Sequence, residues 1–147
     1  MAIKASFFVD TNVLAYAYDR SEPAKQAQAL AVLERIVRVS ALSVQVLGEL
    51  FIVLTRKLSK PFPPKIARER VENYLRAWLV LPVTPLIVEE AVRGVIEHGF
   101  NYWDAQIWAT ARLNQIPIVL SEDFSHDQVV EGVRFLNPFV PGVELPL

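Results

Sequence analysis

Four acidic side chains stand where acids are costly. Asp10 and Asp123 each follow a hydrophobic run: Ser6–Val9 in the first case, Ile116–Leu120 and then Ser121-Glu122-Asp123 in the second. Asp104 falls in the first turn of a helical stretch, beside Trp103 and ahead of Ile107, Trp108 and Ala111. Glu49 lies in Val46–Leu54, where every other residue but Gly48 is apolar and no lysine or arginine stands within one helical turn. A charge there is expensive unless it is paired or coordinated. Each acid alone has an ordinary role open to it. Asp10 could cap a helix, Asp104 could favour a helix dipole, Asp123 could form a turn and Glu49 could pair with a distant arginine. Brought together, four carboxylates repel and raise one another's pKa values. A hard divalent cation removes that conflict. Mg²⁺ takes oxygen ligands, needs one or two direct carboxylates and keeps several waters; Mn²⁺ suits the same set. Zinc is not indicated, because His98 and His126 have no paired ligand spacing. His98 is expected to help end a helix and His126 to lie in a loop.

The elements that must hold these residues follow from hydrophobic periodicity and punctuation. Ser6–Val9 reads as a buried strand entering a polar turn at Asp10-Thr11-Asn12. Helices are expected over Asn12–Tyr18 and Pro23–Ile36, and a second strand over Val37–Ala41. Ser43 fits the N-cap of a helix reaching about Leu58, buried on most sides, with Leu47, Leu50, Leu54 and Leu58 on one face. After the Pro61–Pro64 loop come a helix over Lys65–Trp78 and a strand over Leu79–Val83. Thr84-Pro85 starts a helix that stops near His98-Gly99, and another spans Tyr102–Asn114. Ile116–Leu120 is a strand and Gly132–Leu136 a fifth, while 138–147, with three prolines, is an irregular tail. Strands alternating with helices predict an α/β fold in a single domain over 1–147. The expected form is a three-layer α/β/α sandwich around a mostly parallel sheet of about five strands. Sites in such sheets form beyond the carboxyl ends of the strands, which selects Asp10 and the Ser121-Glu122-Asp123 turn.

Composition narrows the function classes. With 52% hydrophobic and 21% charged residues the chain is no disordered segment. The absence of cysteine excludes disulfides, thiolate metal sites and cysteine nucleophiles. The longest apolar runs, such as Leu50–Leu54 and Trp78–Leu81, are too short to cross a bilayer. Lys4 interrupts what a secretory signal would need, so a cytoplasmic location and no membrane partner are expected. A net charge of −1 gives no global attraction to nucleic acid. Any polyanion must therefore be met by a local basic patch or by bound cations. Arg56, Lys57 and Lys60, following the Glu49 helix, are the candidates for phosphate contact, with complementing the helix dipole as their bland alternative.

At these residues the sequence resembles the PIN-domain family, specifically the VapC-like toxins of toxin–antitoxin pairs. The matching segments are Phe8-Val9-Asp10-Thr11-Asn12-Val13-Leu14, Ser43 to Leu50 around Glu49, Tyr102-Trp103-Asp104-Ala105-Gln106-Ile107, and Leu120-Ser121-Glu122-Asp123-Phe124. Gly132 to Phe139 resembles the family's last strand. The resemblance implies an Mg²⁺- or Mn²⁺-dependent endoribonuclease, the toxin of a type II pair, acting on RNA and bound by a cognate antitoxin. Asp10, Glu49, Asp104 and Asp123 would be its catalytic metal ligands, with Asn12 and Ser121 as auxiliary polar groups. The resemblance also favours a homodimer. Leu30, Leu33, Phe51 and Leu58 are candidates for a dimer face or an antitoxin seat, with core packing as the competing role. One departure is Asp127, where many relatives carry glycine; it would add negative charge at the pocket rim. The alternative function is a non-catalytic regulatory domain that binds metal or RNA. An aspartyl phosphatase is disfavoured because Asp10-Thr11-Asn12 lacks a second aspartate two residues on. A receiver domain lacks its late lysine, an NTPase its Gly-rich phosphate loop, and a serine hydrolase its strand-end serine with histidine.

Overall fold

The computed structural model describes residues 4–147; Met1–Ile3, which open the segment read above as a poor secretory signal, lie outside it. In chain order the elements are β1 (Phe7–Val9), α1 (Thr11–Tyr16), α2 (Pro23–Ile36), β2 (Ser40–Ser43), α3 (Val44–Ile52), α4 (Pro64–Ala77), β3 (Leu79–Leu81), α5 (Pro85–His98), α6 (Tyr102–Leu113), β4 (Ile118–Leu120), β5 (Val129–Val130) and β6 (Val133–Leu136). The strands form one sheet in the order β3-β2-β1-β4-β6-β5, parallel except for the β5–β6 edge pair. Helices flank it in a three-layer α/β/α arrangement, with α5 on α6, α1 on both α2 and α3, and α3 on α4. Strands covered on both faces must be apolar throughout. Phe7, Phe8, Val9, Ala41, Leu42, Val119 and Leu120 accordingly have no exposed surface.

The chain leaves β1 for β2 on one side and later returns to β4 on the other, so the order reverses between β1 and β4. That switch point is where an open parallel sheet leaves a crevice beyond its carboxyl ends. Val9 pairs with Leu120, which sets Asp10 beside Ser121 at the top of the crevice. The helix-start signals hold locally. Ser43 caps α3 by accepting from Val46 N–H, Thr84 caps α5 before Pro85, and α5 ends at Gly99 with φ of +71°.

Three expectations are corrected. Val37–Val39 is a single 3₁₀ turn, and β2 begins at Ser40, whose Oγ donates to Ile36 O at 2.7 Å and closes α2. Local closure overrides the strand preference of two valines. The long helix from Ser43 stays α-helical only to Ile52 and then makes a π turn over Val53–Lys57. It is also not buried on most sides: Val44, Phe51 and Ile52 are exposed. The sheet has six strands, because the two-residue β5 is too short to leave a pattern in sequence.

Glu131, in the turn between β5 and β6, ties the far end of the sheet to α5 and α6. Arg93 reaches it at 3.0 Å and His98 Nε2 at 2.6 Å, while Arg112 pairs with Glu90. The Arg93 hydrogen bond, then that of His98, holds the Glu131 carboxyl down at about 2. A carboxyl depressed in the folded state contributes stability that is present above its ordinary pKa and lost as pH falls toward the depressed one. Wild type should therefore exceed Glu131→Gln in urea midpoint at pH 6, with the gap closing between about pH 4.5 and 2. A gap that stays constant over that range would remove Glu131 as the cause.

Candidate active site

Three of the four predicted acids, Glu49, Asp104 and Asp123, line one cleft of about 510 Å³ together with Thr11, Asn12, Tyr16 and Lys57. The fourth, Asp10, lies beneath them, 5% exposed. Each is placed by a different element. Asp10 caps α1: its Oδ1 accepts Thr11 N–H at 2.7 Å, and its Oδ2 accepts Ser121 Oγ–H at 2.8 Å. Asp10 thus caps α1 and also lies at the base of the acidic cleft. Asp123 is reached through Asn12, whose Nδ2 donates at 3.1 Å to Asp123 Oδ2 and at 3.1 Å to Ser121 Oγ, with Asp10 Oδ2 at 3.4 Å. The Asn12 carbonyl accepts Glu122 N–H at 3.2 Å, pinning the β4 turn against α1. Asn101 caps α6 and holds Asp104: its Oδ1 accepts Asp104 N–H at 3.0 Å, and its Nδ2 donates to Asp104 Oδ2 at 2.6 Å.

Glu49 corrects a premise of the sequence reading. It has no cationic neighbour on its helix, yet it does have a local partner, Gln45 one turn earlier, donating at 3.0 Å to Oε1. Thr11 Oγ1 donates to Oε2 at 2.8 Å. Gln45 is in turn fixed by Gln106 Nε2 at 2.6 Å, and Gln106 by Tyr102 OH at 2.8 Å. Neutral donors therefore orient the carboxylate without cancelling its charge. Thr11 was in plain sight within the Asp-Thr-Asn motif. Gln45, Gln106 and Asn101 are the positioning residues that sequence reasoning missed. Only Asn101, a polar residue just before a helix start, carried a readable signal.

None of the four acids pairs with a lysine or arginine among the described residues. Burial pushes the Asp10 carboxyl up to about 7, against the Ser121 and Thr11 hydrogen bonds and with added repulsion from Asp123 and Glu49. Asp104 is also raised, by burial first and then by Asp123 and Glu49, despite Asn101. Glu122 is different, because Lys25 at 3.0 Å and Tyr16 OH at 2.6 Å tie off its two oxygens. It is not a further free ligand.

No three of the four acids bring ligand atoms within 4.8 Å of one another among the described residues. The donor set, all hard oxygens around a buried carboxylate without a cation, fits Mg²⁺ or Mn²⁺ held by one or two direct contacts and the rest through water. Glu97, His98 and Glu131 do lie within 4.8 Å of one another, but arginine guanidiniums occupy both carboxylates, so that cluster is an ion-pair network.

The other candidates separate clearly. Lys57 lines the cleft; Lys60 lines a neighbouring hollow; Arg56 lines neither. Asp127 is not at the rim: exposed, it pairs with Arg134 and sits at φ of +67°, a conformation that favours glycine. Asp127 is thereby placed as a turn residue outside the cleft. His98 belongs to the Glu131 network, and His126 Nδ1 accepts Asn137 N–H in the loop before β5.

A parallel sheet with a carboxylate-lined crevice at its switch point defines the class of an α/β acidic-site protein. The sequence profile of the PIN domain matches residues 7–132, and the chain belongs to that family. No curated protein matches it. Among solved structures it is similar to a toxin–antitoxin complex from Klebsiella pneumoniae (TM-score 0.69, 19% identity, 91% of this chain and 98% of that one). It is also similar to FitAcB from Neisseria gonorrhoeae (0.68, 21%, 91% and 99%). A third is VapC20 from Mycobacterium tuberculosis, described as a sarcin–ricin-loop-cleaving toxin (0.63, 23%, 78% and 87%). At these identities the likeness is one of fold. Among the described residues no helix is long and apolar enough to cross a membrane.

Proposed function

We propose that the chain is a divalent-metal-dependent endoribonuclease, the toxin of a toxin–antitoxin pair. The observation that carries this is the buried Asp10, unpaired with any lysine or arginine among the described residues, at the base of a cleft that three more carboxylates line. Asp10, Glu49, Asp104 and Asp123 would hold Mg²⁺ or Mn²⁺. When bound there, the cation supplies charge that neutralises the acids, polarises the phosphodiester and lowers the pKa of a water. Thr11 and Gln45 hold the Glu49 carboxylate in orientation. Asn12 keeps Asp10, Ser121 and Asp123 together, and the buried Ser121 gives its hydroxyl proton to Asp10, so both act by positioning the acids. We infer that water rather than a ribose 2′-hydroxyl is the nucleophile, because this oxygen donor set suits a divalent cation that would lower the pKa of a water.

Product ends test this reading. RNA incubated with the protein and Mg²⁺ or Mn²⁺ should yield linear phosphate termini and none with EDTA. Cyclic 2′,3′-phosphate ends would overturn the water mechanism; binding without cleavage in either metal would favour a regulatory domain.

The partner expected from the fold's toxin–antitoxin relatives also has a surface to meet. An apolar groove of about 800 Å³ runs between α3 and α4, lined by Val44, Gly48, Phe51, Val71 and Leu75 with Lys65 and Arg68 at its margin. Phe51 is thus available to a partner, and so is Leu30, 53% exposed; Leu33 is buried and Leu58 lines the cleft wall. A homodimer would find its apolar stripe on α5 instead, at Val88, Val92 and Ile96.

A further inference from the structure

Glu49, Ile52 and Val53 line the cleft from one helix face. Spacing of three and four residues would hand the next position on that face to residue 56 if the α-helix continued. It does not. Leu58 N–H bonds to Val53 O, five residues back, at 3.2 Å, so the turn Val53–Lys57 holds one residue more than an α turn. One extra residue displaces the end of the turn by about one position around the axis, roughly 100° at 3.6 residues per turn, before Leu58 leaves the helix. The cleft lining accordingly includes Lys57, the one lysine or arginine there among the described residues, and not Arg56. Lys57 is exposed and makes no ion pair among the described residues.

Beyond Lys57 the cleft adjoins a second hollow of about 460 Å³, the two sharing Asp19 and Leu58 as a common wall. Arg20 and Lys60 line that hollow and, among the described residues, make no ion pair. Asp19, the acid between the hollows, has Oδ1 taken by Ser21 N–H at 3.0 Å and Ser21 Oγ at 2.5 Å. On the opposite side of the cleft, Lys25 is spent on Glu122. Among the described residues, the unpaired cations that line the cleft and the hollow beside it are Lys57, Arg20 and Lys60, and they lie in succession across that common wall.

Resting on the nuclease reading above, we propose that Lys57, set by the π turn, binds the backbone phosphate next to the scissile one. A single strand then continues from it into the hollow of Arg20 and Lys60. The contact is made to a phosphate that does not react, so it strengthens substrate and transition state alike and acts on KM rather than kcat.

Initial rates on a single-stranded RNA of about twelve nucleotides test it, across a series of salt concentrations. Lys57→Ala should raise KM about tenfold with kcat within about twofold, as loss of one charge-assisted contact does. It should also flatten the slope of log kcat/KM against log salt by about 0.7, one single-strand phosphate contact. Lys57→Arg should recover most of the KM. Arg56→Ala should raise KM less than about threefold, the effect of removing a nearby charge without a contact. The pair Arg20→Ala with Lys60→Ala should flatten the salt slope by about 1.4. An active wild type with Arg56→Ala matching Lys57→Ala, or with an unchanged salt slope in Lys57→Ala, would overturn the assignment alone. A wild type that does not cleave this RNA in Mg²⁺ or Mn²⁺ would overturn the nuclease reading and this inference with it.

Discussion

Asp10→Asn is expected to abolish RNA cleavage, by about 10³-fold or more, and yet to stabilise the protein when divalent cations are absent. The two effects share one cause. The folded protein holds the Asp10 carboxyl at about 7, against 3.8 ordinarily, chiefly because burial penalises its charge. Between those values the folded state binds more protons than the unfolded one, so stability falls as pH rises and the loss is complete above about pH 7. At pH 8 the ionised carboxylate costs on the order of 4 kcal/mol. Asparagine removes the charge but must turn its NH₂ toward either Thr11 N–H or Ser121 Oγ–H, returning about 1–2 kcal/mol of mismatch. Thermal denaturation in EDTA at pH 8 should place Asp10→Asn about 5 °C above wild type. At pH 5, where the wild-type carboxyl is protonated, the difference should vanish or reverse. Mg²⁺ should raise the wild-type midpoint and leave that of Asp10→Asn nearly unmoved. A variant less stable than wild type at pH 8 in EDTA would show that the carboxylate is not the burden described.

Gly94→Val is the second large effect, and it touches stability alone. A Cβ on Gly94 would stand 2.9 Å from Trp108 Cζ3, 3.0 Å from Cε3 and 3.4 Å from Phe100 Cδ2. Trp108 cannot swing aside: it is fully buried, its Nε1 donates to Val130 O at 3.1 Å, and the His98 and Phe100 rings pack against it. The glycine is therefore what lets α5 lie close on α6. Overpacking of this kind costs about 3 kcal/mol for valine, or roughly 8 °C. Alanine gains up to about 1 kcal/mol of helix propensity in return, so Gly94→Ala should lose only about 1 kcal/mol. Urea unfolding reads both. A Gly94→Val midpoint equal to wild type would mean that the α5–α6 contact is looser than these distances describe.

Most of the frame was legible because it is written locally. Phe7–Val9 and Ile118–Leu120 are unbroken apolar runs, and Thr84-Pro85 and Gly99 punctuate α5 by backbone chemistry alone. The acids declared themselves by contrast with those runs. What escaped was of two kinds. The Tyr102–Gln106–Gln45–Glu49 relay joins side chains about sixty residues apart in sequence, and neutral amides on a helix leave no mark until the fold brings them together. The π turn at Val53–Lys57 has no residue signature either, since Val-Leu-Thr-Arg-Lys is compatible with a plain helix. Asp127 failed for the opposite reason. An acid near a site drew a chemical reading, whereas its positive φ and its pairing with Arg134 make it a turn residue.

Cleavage of one RNA by wild type and Asp10→Asn, each in Mg²⁺ and in EDTA, bears most directly on the claim that these four carboxylates form a metal-dependent nuclease site. Wild type with Mg²⁺ alone should cut, and the other three reactions should leave the RNA intact. Cutting that survives both the substitution and the chelator would contradict the account.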